Sequence, residues 1–134
     1  MVPWHESRLR VRFEETDMMG VVYYSKFFVY MEVGRINLLR DLGWVYAEWT
    51  RRGLRIPVVR AHLDYKSSAR FDDELLVKTK LISIGAHSIR FDTEVSKLPE
   101  KRLLCTGYTV HALVDGSGKA VPFPDDVRER LTEH

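Results

Sequence analysis

The chain has 134 residues, enough for one domain around one hydrophobic core, and we expect residues 1–134 to form that single domain. Its hydrophobic content of 45% and charged content of 30% are ordinary for a globular protein. No stretch approaches the roughly 20 apolar residues that a membrane span requires, and the N-terminus lacks the apolar core of a signal peptide. We therefore expect a cytoplasmic protein without a membrane partner. The single cysteine, Cys105, excludes an internal disulfide, and a net charge of +2 is too small to indicate nucleic acid.

The chain opens with a predicted strand over residues 8–14. Apolar Leu9, Val11 and Phe13 alternate there with charged residues, which is the period of a half-buried strand. The alternation stops at residues 16–20, which predicts a loop that carries Asp17.

A long helix is predicted over residues 25–42. Its apolar residues recur at three- and four-residue spacing over a wide surface, so we expect the helix to be largely buried. Ser25 suits the N-cap, and Gly43 suits the C-terminal stop. A shorter helix is predicted over residues 45–52.

After Pro57 the apolar period changes from helical spacing to two. Four more strands follow, with a hairpin turn at Gly85 and a final short helix after Pro124. The predicted strands cover residues 59–66, 75–84, 89–96 and 103–114. One sheet and one apolar helix each have a face to hide, so the order predicts an α+β fold.

Three segments resemble the hotdog-fold 4-hydroxybenzoyl-CoA thioesterase family, including its short acyl-CoA thioesterase branch. They run from Val11 to Tyr24, from Asp64 to Leu75 and from Gly118 to Pro124. The resemblance implies a five-stranded antiparallel sheet wrapped around a long central helix. It also implies hydrolysis of an acyl-CoA to a carboxylic acid and CoA, with no cofactor because CoA is part of the substrate. Homo-oligomers, either dimers or tetramers, are implied as well.

The resemblance assigns the catalytic carboxylate to Asp17 and the oxyanion donor to the backbone N–H of Tyr24. A carboxylate attacks the thioester or activates water, and a buried helix N-terminus polarises the carbonyl. The substrate-binding residues that it implies are Gly20, Val22, Tyr23, Phe27, Tyr65, Lys66 and Arg70.

Several residues have competing interpretations. We expect Glu14 and Glu15 to be solvated. We expect Glu32 to form an ion pair with Arg35, three residues further on in the predicted helix. Glu32 is also a candidate catalytic carboxylate, since a polar residue in a buried helix needs an explanation. Cys105 is expected to be a buried structural thiol. The histidines lack ligand spacing, so no metal is expected.

Arg51, Arg52, Arg55 and Arg60 crowd one short segment. They form either a solvated surface or a docking patch for an anionic ligand. The docking interpretation leaves open a thioesterase that acts on an acyl carrier protein. A non-catalytic acyl-CoA-binding module is a third alternative, which Asp17 within its motif disfavours.

Overall fold

A computed structural model describes residues 4–132, which form a single five-stranded antiparallel sheet with three helices. The strand order is β1-β3-β4-β5-β2, which confirms the predicted α+β class. None of the described helices is long and apolar enough to cross a membrane. The elements are β1 (His5–Arg10), α1 (Lys26–Asp41), α2 (Tyr46–Arg51), β2 (Val58–Tyr65), β3 (Glu74–Ile84), β4 (Ser88–Lys97), β5 (Arg102–Ala112) and α3 (Asp125–Thr132).

Helix α1 lies against β3 and β1, and Gly34 sets how closely it approaches them. A β-carbon at Gly34 would clash with Thr79 Oγ1 and lie 2.8 Å from Val77 Cγ1. Both neighbours are fully buried, β-branched side chains of β3, so they have little freedom to move aside. The glycine is therefore required by packing, in the middle of a helix where its backbone entropy is unfavourable.

Two apolar clusters lie between the helices and the sheet. The first surrounds the start of α1 and contains Phe27, Tyr30, Val77 and Val95 among its buried residues. The second surrounds the end of α1 and is closed by α2 and α3; it is lined by Leu38, Leu39, Trp44, Trp49, Phe91, Phe123 and Leu131. The helix therefore joins both halves of the core.

The alternating burial predicted for the sheet is clearest in β4, where Ile89, Phe91, Thr93 and Val95 are buried. On the neighbouring strand β5 the ring of His111 packs edge to face against Phe91 and is fully buried, with Nδ1 2.8 Å from Ile56 O and Nε2 2.9 Å from Thr109 Oγ1. Burial lowers the pKa of His111 to about 4, so the ring is neutral and structural at neutral pH.

The predicted strand over residues 8–14 is wrong at both ends. Strand β1 ends at Arg10, and Phe13–Glu15 form a single 3-10 turn that leaves the Phe13 side chain exposed. The turn redirects the chain towards the loop, so the apolar alternation beyond Val11 does not mark one face of a strand.

The helix boundaries are close to those predicted and Ser25 stands at the N-cap position, but the capping hydrogen bond expected of its hydroxyl is absent. Ser25 is already helical, with φ −68° and ψ −19°, and its hydroxyl makes no capping hydrogen bond. Gly43 and Gly53 end α1 and α2 with φ of +84° and +69°, in the left-handed conformation that favours glycine.

The expectation that α1 is largely buried holds for only one side of the helix. Phe28 is 37% exposed and Val29 is 41% exposed, because the helix lies over β3, β1 and β4 and leaves the β2 edge of the sheet uncovered. A trough therefore runs between α1 and β2.

We predict that Gly34→Ala lowers the free energy of unfolding by about 1–3 kcal/mol, since the added methyl group forces α1 away from β3. Alanine's better helix propensity recovers only about 1 kcal/mol of the strain. Urea denaturation measures the effect. The matched control is Arg40→Ala, at an exposed position of the same helix, which we expect to change stability by no more than about 0.5 kcal/mol. A Gly34→Ala variant as stable as the control would contradict the packing role of Gly34.

Candidate active site

The loop between the 3-10 turn and α1 presents Asp17 on a short, internally bonded turn. The Asp17 N–H donates to Val21 O at 2.9 Å, and its backbone O accepts from the Gly20 N–H at 3.0 Å. One carboxylate oxygen, Oδ1, accepts from the Met19 N–H at 2.8 Å. Gly20 has φ +78°, so the turn needs a residue that tolerates the left-handed conformation. The backbone thus fixes where the half-buried carboxylate sits.

Glu15 anchors this loop to α1. Its Oε1 accepts from the Arg12 N–H at 2.8 Å and from the Tyr30 hydroxyl at 2.9 Å, and its Oε2 accepts from Arg12 Nε at 3.1 Å. Its backbone O accepts from the Tyr23 N–H at 2.9 Å. One buried residue therefore joins the turn before Asp17 to the helix after it.

The hydrogen bonds to Glu15 keep its buried carboxylate charged. Burial alone would raise its pKa, but the bonds from the Arg12 N–H, the Tyr30 hydroxyl and the Arg12 guanidinium together lower it. Burial and the neighbouring carboxylate raise the pKa of Tyr30, so this phenol stays a hydrogen-bond donor.

The start of α1 offers an unpaired backbone donor. Among residues 4–132 the Tyr24 N–H has no hydrogen-bond acceptor, whereas the N–H groups of Tyr23 and Lys26 are both paired. The Tyr24 carbonyl accepts from the Tyr65 hydroxyl at 2.9 Å, which ties this backbone to the end of β2. The positive end of the α1 macrodipole lies here, so the site favours a developing negative charge.

A groove of about 580 Å³ brings together most of the residues that the sequence singled out. The aromatic rings on its wall pack edge to face: Tyr65 lies 5.7 Å from Phe27 and 6.4 Å from Tyr24, centroid to centroid. Those rings give an apolar surface beside a carboxylate and a free N–H. The predicted site residues that line the groove are Asp17, Val22, Tyr23, Tyr24, Phe27, Tyr65 and Lys66.

Gly20 and Arg70 lie elsewhere, on the outer side of the loop. Arg70 Nη1 is 3.5 Å from Gly20 O, and the Arg70 N–H donates to Asp73 Oδ2 at 2.9 Å. Neither residue lines the groove that contains Tyr24. In this structure their contacts support the shape of the Asp17 loop.

Two predictions about acidic residues are wrong. Glu15 is buried and not solvated; the signal for it in the sequence was its three-residue spacing from Arg12, which suits a reciprocal turn contact. Glu32 is exposed and makes no ion pair within 4 Å in the described part of the chain. Its expected partner Arg35 is instead buried, although both residues line the trough.

The arginine-rich segment divides into separate environments. Arg51 and Arg52 both pair with Glu48, and Arg52 also pairs with Asp126 of α3 and lies 5.4 Å from the Trp44 ring. Arg60 projects from the exposed strand β2. The segment is therefore no single patch, and one of its arginines, Arg52, holds α2 against α3.

The remaining reactive side chains show no site of their own. Burial raises the pKa of Cys105 to about 12, so its thiol is not a nucleophile, as expected for a structural residue. Within residues 4–132 no cluster of three or more candidate ligands could hold a metal ion.

Residues 11–131 match the thioesterase-like superfamily, and the chain belongs to it. A putative esterase of Aquifex aeolicus is 32% identical over 126 residues, covering 94% of this chain and 96% of that protein. The acyl-CoA thioesterase YbgC of Haemophilus influenzae is 32% identical over 123 residues, covering 90% of this chain and 88% of that protein. The crystal structure of a hypothetical protein from Thermus thermophilus superimposes with a TM-score of 0.90 at 34% identity, covering 96% of this chain and 97% of that one.

The same architecture recurs at lower identity. The crystal structure of a 4-hydroxybenzoyl-CoA thioesterase mutant superimposes with a TM-score of 0.88 at 18% identity, covering 98% of this chain and all of that one, which shows the shared fold. The hotdog fold that the sequence predicted is therefore confirmed, and the protein is a thioesterase of that fold.

We predict that Glu15→Gln destabilises the protein by about 1–3 kcal/mol at pH 7, since the buried amide leaves donors unpaired and loses the charge that Arg12 and Tyr30 stabilise. The pKa of Glu15 is lower in the folded protein than in the unfolded chain. The charged carboxylate therefore contributes to the free energy of unfolding above the unfolded-state pKa, and this contribution is lost as the pH falls through the folded-state pKa. The stability gap between wild type and variant should therefore shrink below about pH 4. Urea denaturation at pH 7 and pH 3 measures it, with Glu14→Gln on the exposed neighbour as control. Equal losses in the two variants would contradict the anchoring role.

Proposed function

We propose that the protein hydrolyses acyl-CoA thioesters to the free carboxylic acid and CoA, with Asp17 as its catalytic carboxylate. One observation carries the proposal: Asp17 and Tyr24, whose backbone N–H has no acceptor among residues 4–132, line the same apolar groove at the N-terminus of α1. Thioester hydrolysis needs a base or nucleophile on one side of the carbonyl and a donor for the oxyanion on the other.

The Tyr24 N–H donates to the thioester carbonyl oxygen. Negative charge develops on that oxygen as the tetrahedral intermediate forms, and the macrodipole of α1 stabilises it. The bonds from Tyr65 to the Tyr24 carbonyl and from the Tyr23 N–H to Glu15 hold this backbone before the substrate arrives. The donor therefore needs little reorganisation in the transition state.

Asp17 supplies the other half of the reaction by one of two routes. As a base, it takes a proton from water while the water oxygen bonds to the carbonyl carbon; the C–S bond then breaks and the proton passes to the CoA thiolate. As a nucleophile, its carboxylate oxygen bonds to the carbonyl carbon and displaces CoA, and water cleaves the resulting anhydride. Both routes give one acid and one thiol.

Binding of the substrate follows from the walls of the groove. Phe27, Tyr23 and Tyr65 supply apolar and aromatic contacts next to the thioester, and Lys66 at the rim is a cation suited to a CoA phosphate.

No cofactor is required, since the chain supplies the carboxylate and the N–H and CoA leaves as a product. We retain a cytoplasmic location as part of the proposal, because acyl-CoA is made there.

The acyl-carrier-protein alternative is less well supported by the contacts of the arginine-rich segment. Arg51 and Arg52, which would have to meet an acidic carrier, are engaged by Glu48 and Asp126. A binding module without catalysis would have no use for a carboxylate held beside a free oxyanion donor.

The active unit that we propose is a homodimer joined through β2, and pairs of dimers would form the tetramer implied by the family resemblance. Within residues 4–132 strand β2 hydrogen-bonds only to β5, which leaves its other edge without a partner strand there. Val58 and Val59 of this strand are exposed, and Val58 lies beside Phe28 and Val29 of α1. An exposed apolar edge invites pairing, and a twofold axis joins two such edges into one sheet.

We predict that Asp17→Asn lowers kcat by at least roughly a hundredfold without changing the fold. The amide oxygen can still accept from the Met19 N–H, so the turn persists. Thiol release from a panel of acyl-CoA substrates measures turnover. The control is Tyr24→Phe, which keeps the backbone donor and should retain most activity. Near-normal turnover in Asp17→Asn would refute the assignment, and loss of activity in Tyr24→Phe would give the phenol a role in the chemistry.

We also predict that specific activity falls on dilution in step with dissociation of the dimer, measured by sedimentation equilibrium. Val58→Asp should weaken the dimer because it buries an unpaired charge at the joined edges. Arg8→Gln makes the same change in net charge on the opposite edge strand, β1, and should leave the dimer intact. A fully active monomer would exclude a site shared between subunits.

A further inference from the structure

A second groove, about 620 Å³ in volume, lies at the far end of α1 from Asp17. We call it the Arg35 groove; its walls include Arg35, Ile36, Tyr46, Trp49, Arg55 and Val114. Helix α1, helix α2 and the segments around Ile56 and Val114 build it together, so it is a concavity of one chain and not merely an uncovered strand edge.

Arg35 is the unusual residue of this groove. It is only 9% exposed, yet in the described part of the chain it has no carboxylate within 4 Å and no side-chain hydrogen bond. Burial lowers its pKa, while the charge of Glu32 acts in the opposite direction. A buried cation without an ion pair is costly, which calls for an anionic partner from outside this set of residues.

The rest of the groove is suited to an anion with an apolar body. Ile36, Trp49, Pro57 and Val114 provide apolar walls. Arg55 is a second cation on the wall, and within residues 4–132 its guanidinium donates only to the carbonyl oxygens of Asp115 and Gly116, at 3.4 and 3.3 Å. Two arginines thus face one glutamate, so the groove is positive overall. A guanidinium binds a carboxylate through two parallel hydrogen bonds.

Pairing through β2 would bring the Arg35 groove to the active site of the other copy. Tyr65, at the end of β2, lines the Asp17 groove, whereas Pro57, just before β2, lines the Arg35 groove. Twofold pairing of antiparallel edges sets the end of one β2 against the start of the other. An acyl group held at Asp17 of one copy would therefore extend towards Arg35 of the second copy.

We propose that the Arg35 groove receives the far end of the acyl group and selects acyl-CoA substrates that end in a carboxylate. This inference rests on the proposed hydrolysis and on the proposed dimer. Arg35 would bind the terminal carboxylate, and the apolar walls would contact the methylene groups before it. The preference depends on charge at the far end of the acyl group and not on the chemistry at the thioester.

The test compares two substrates that differ only at the far end of the acyl group, adipoyl-CoA and hexanoyl-CoA. We expect wild type to have at least about tenfold higher kcat/KM for adipoyl-CoA, since a site built for a polar group discriminates strongly against an analogue that lacks it. Arg35→Met keeps the apolar stem and removes the charge, and should lower that ratio by at least about tenfold while hexanoyl-CoA turnover stays within about threefold. Arg40→Met, on an exposed turn of the same helix, should leave the ratio unchanged.

Glu32→Gln provides a second variant at an exposed position. It removes the anion that opposes a carboxylate in the groove, so the ratio should rise. A wild-type ratio near one, or a ratio that neither Arg35→Met nor Glu32→Gln changes, would overturn the proposal. If the dimer dissociates in both variants while the ratio is unchanged, Arg35 forms an ion pair with Glu32 of a second copy. That result would also overturn the proposed carboxylate site.

A binding measurement separates this proposal from the proposed hydrolysis. In the Asp17→Asn background, calorimetry should give a lower Kd for adipoyl-CoA than for hexanoyl-CoA, and Arg35→Met should abolish the difference. Tighter adipoyl-CoA binding without turnover of any thioester by wild type would refute the hydrolysis and retain the carboxylate site. Turnover of both thioesters with equal Kd values would retain the hydrolysis and refute the carboxylate site.

Discussion

The burial of the Glu15 carboxylate is the interaction on which the geometry of the Asp17 loop depends. A charged group removed from water must regain its hydrogen bonds inside the protein, and Glu15 obtains them from the Arg12 N–H, the Arg12 side chain and the Tyr30 hydroxyl. Since Tyr30 belongs to α1 and Arg12 precedes the loop, the hydrogen bonds to this one carboxylate join both ends of the segment that carries Asp17 and Tyr24. Asp17 and the Tyr24 N–H are presented to one groove from this shared anchor.

The helix is the second constraint, because it packs against the sheet on one side only. Gly34 allows α1 to approach β3 closely, and the two apolar clusters bury that side of the helix. The other side carries Phe28, Val29 and Glu32 along a trough that the chain does not cover. The proposed pairing with a second copy would cover this trough and the neighbouring edge of β2.

The sequence predicted the sheet and α1 well because apolar periods report directly which face is buried, as in β4. It predicted the site through the motif around Asp17, whose loop has no period of its own. The sequence predictions were wrong where contacts between distant segments determine burial. Glu15 was expected to be solvated, but Tyr30, fifteen residues later, donates a hydrogen bond to its buried carboxylate. Likewise Glu32 and Arg35 have the spacing of an ion pair, but only the packing of α1 on the sheet shows that one is exposed and the other buried.

We infer that the backbone N–H at the start of α1 polarises the thioester carbonyl. The most direct measurement is the infrared carbonyl stretch of a ¹³C-labelled acyl-CoA bound to Asp17→Asn, which holds the substrate without turnover. A strong hydrogen bond from the Tyr24 N–H in the field of the helix weakens the C=O bond, so we predict that the carbonyl stretch lies at a lower frequency than in water. An Asp17→Asn variant that also carries Tyr24→Phe should retain this shift, because it keeps the backbone donor. A bound carbonyl that absorbs at the frequency of the free thioester in an apolar solvent would contradict it.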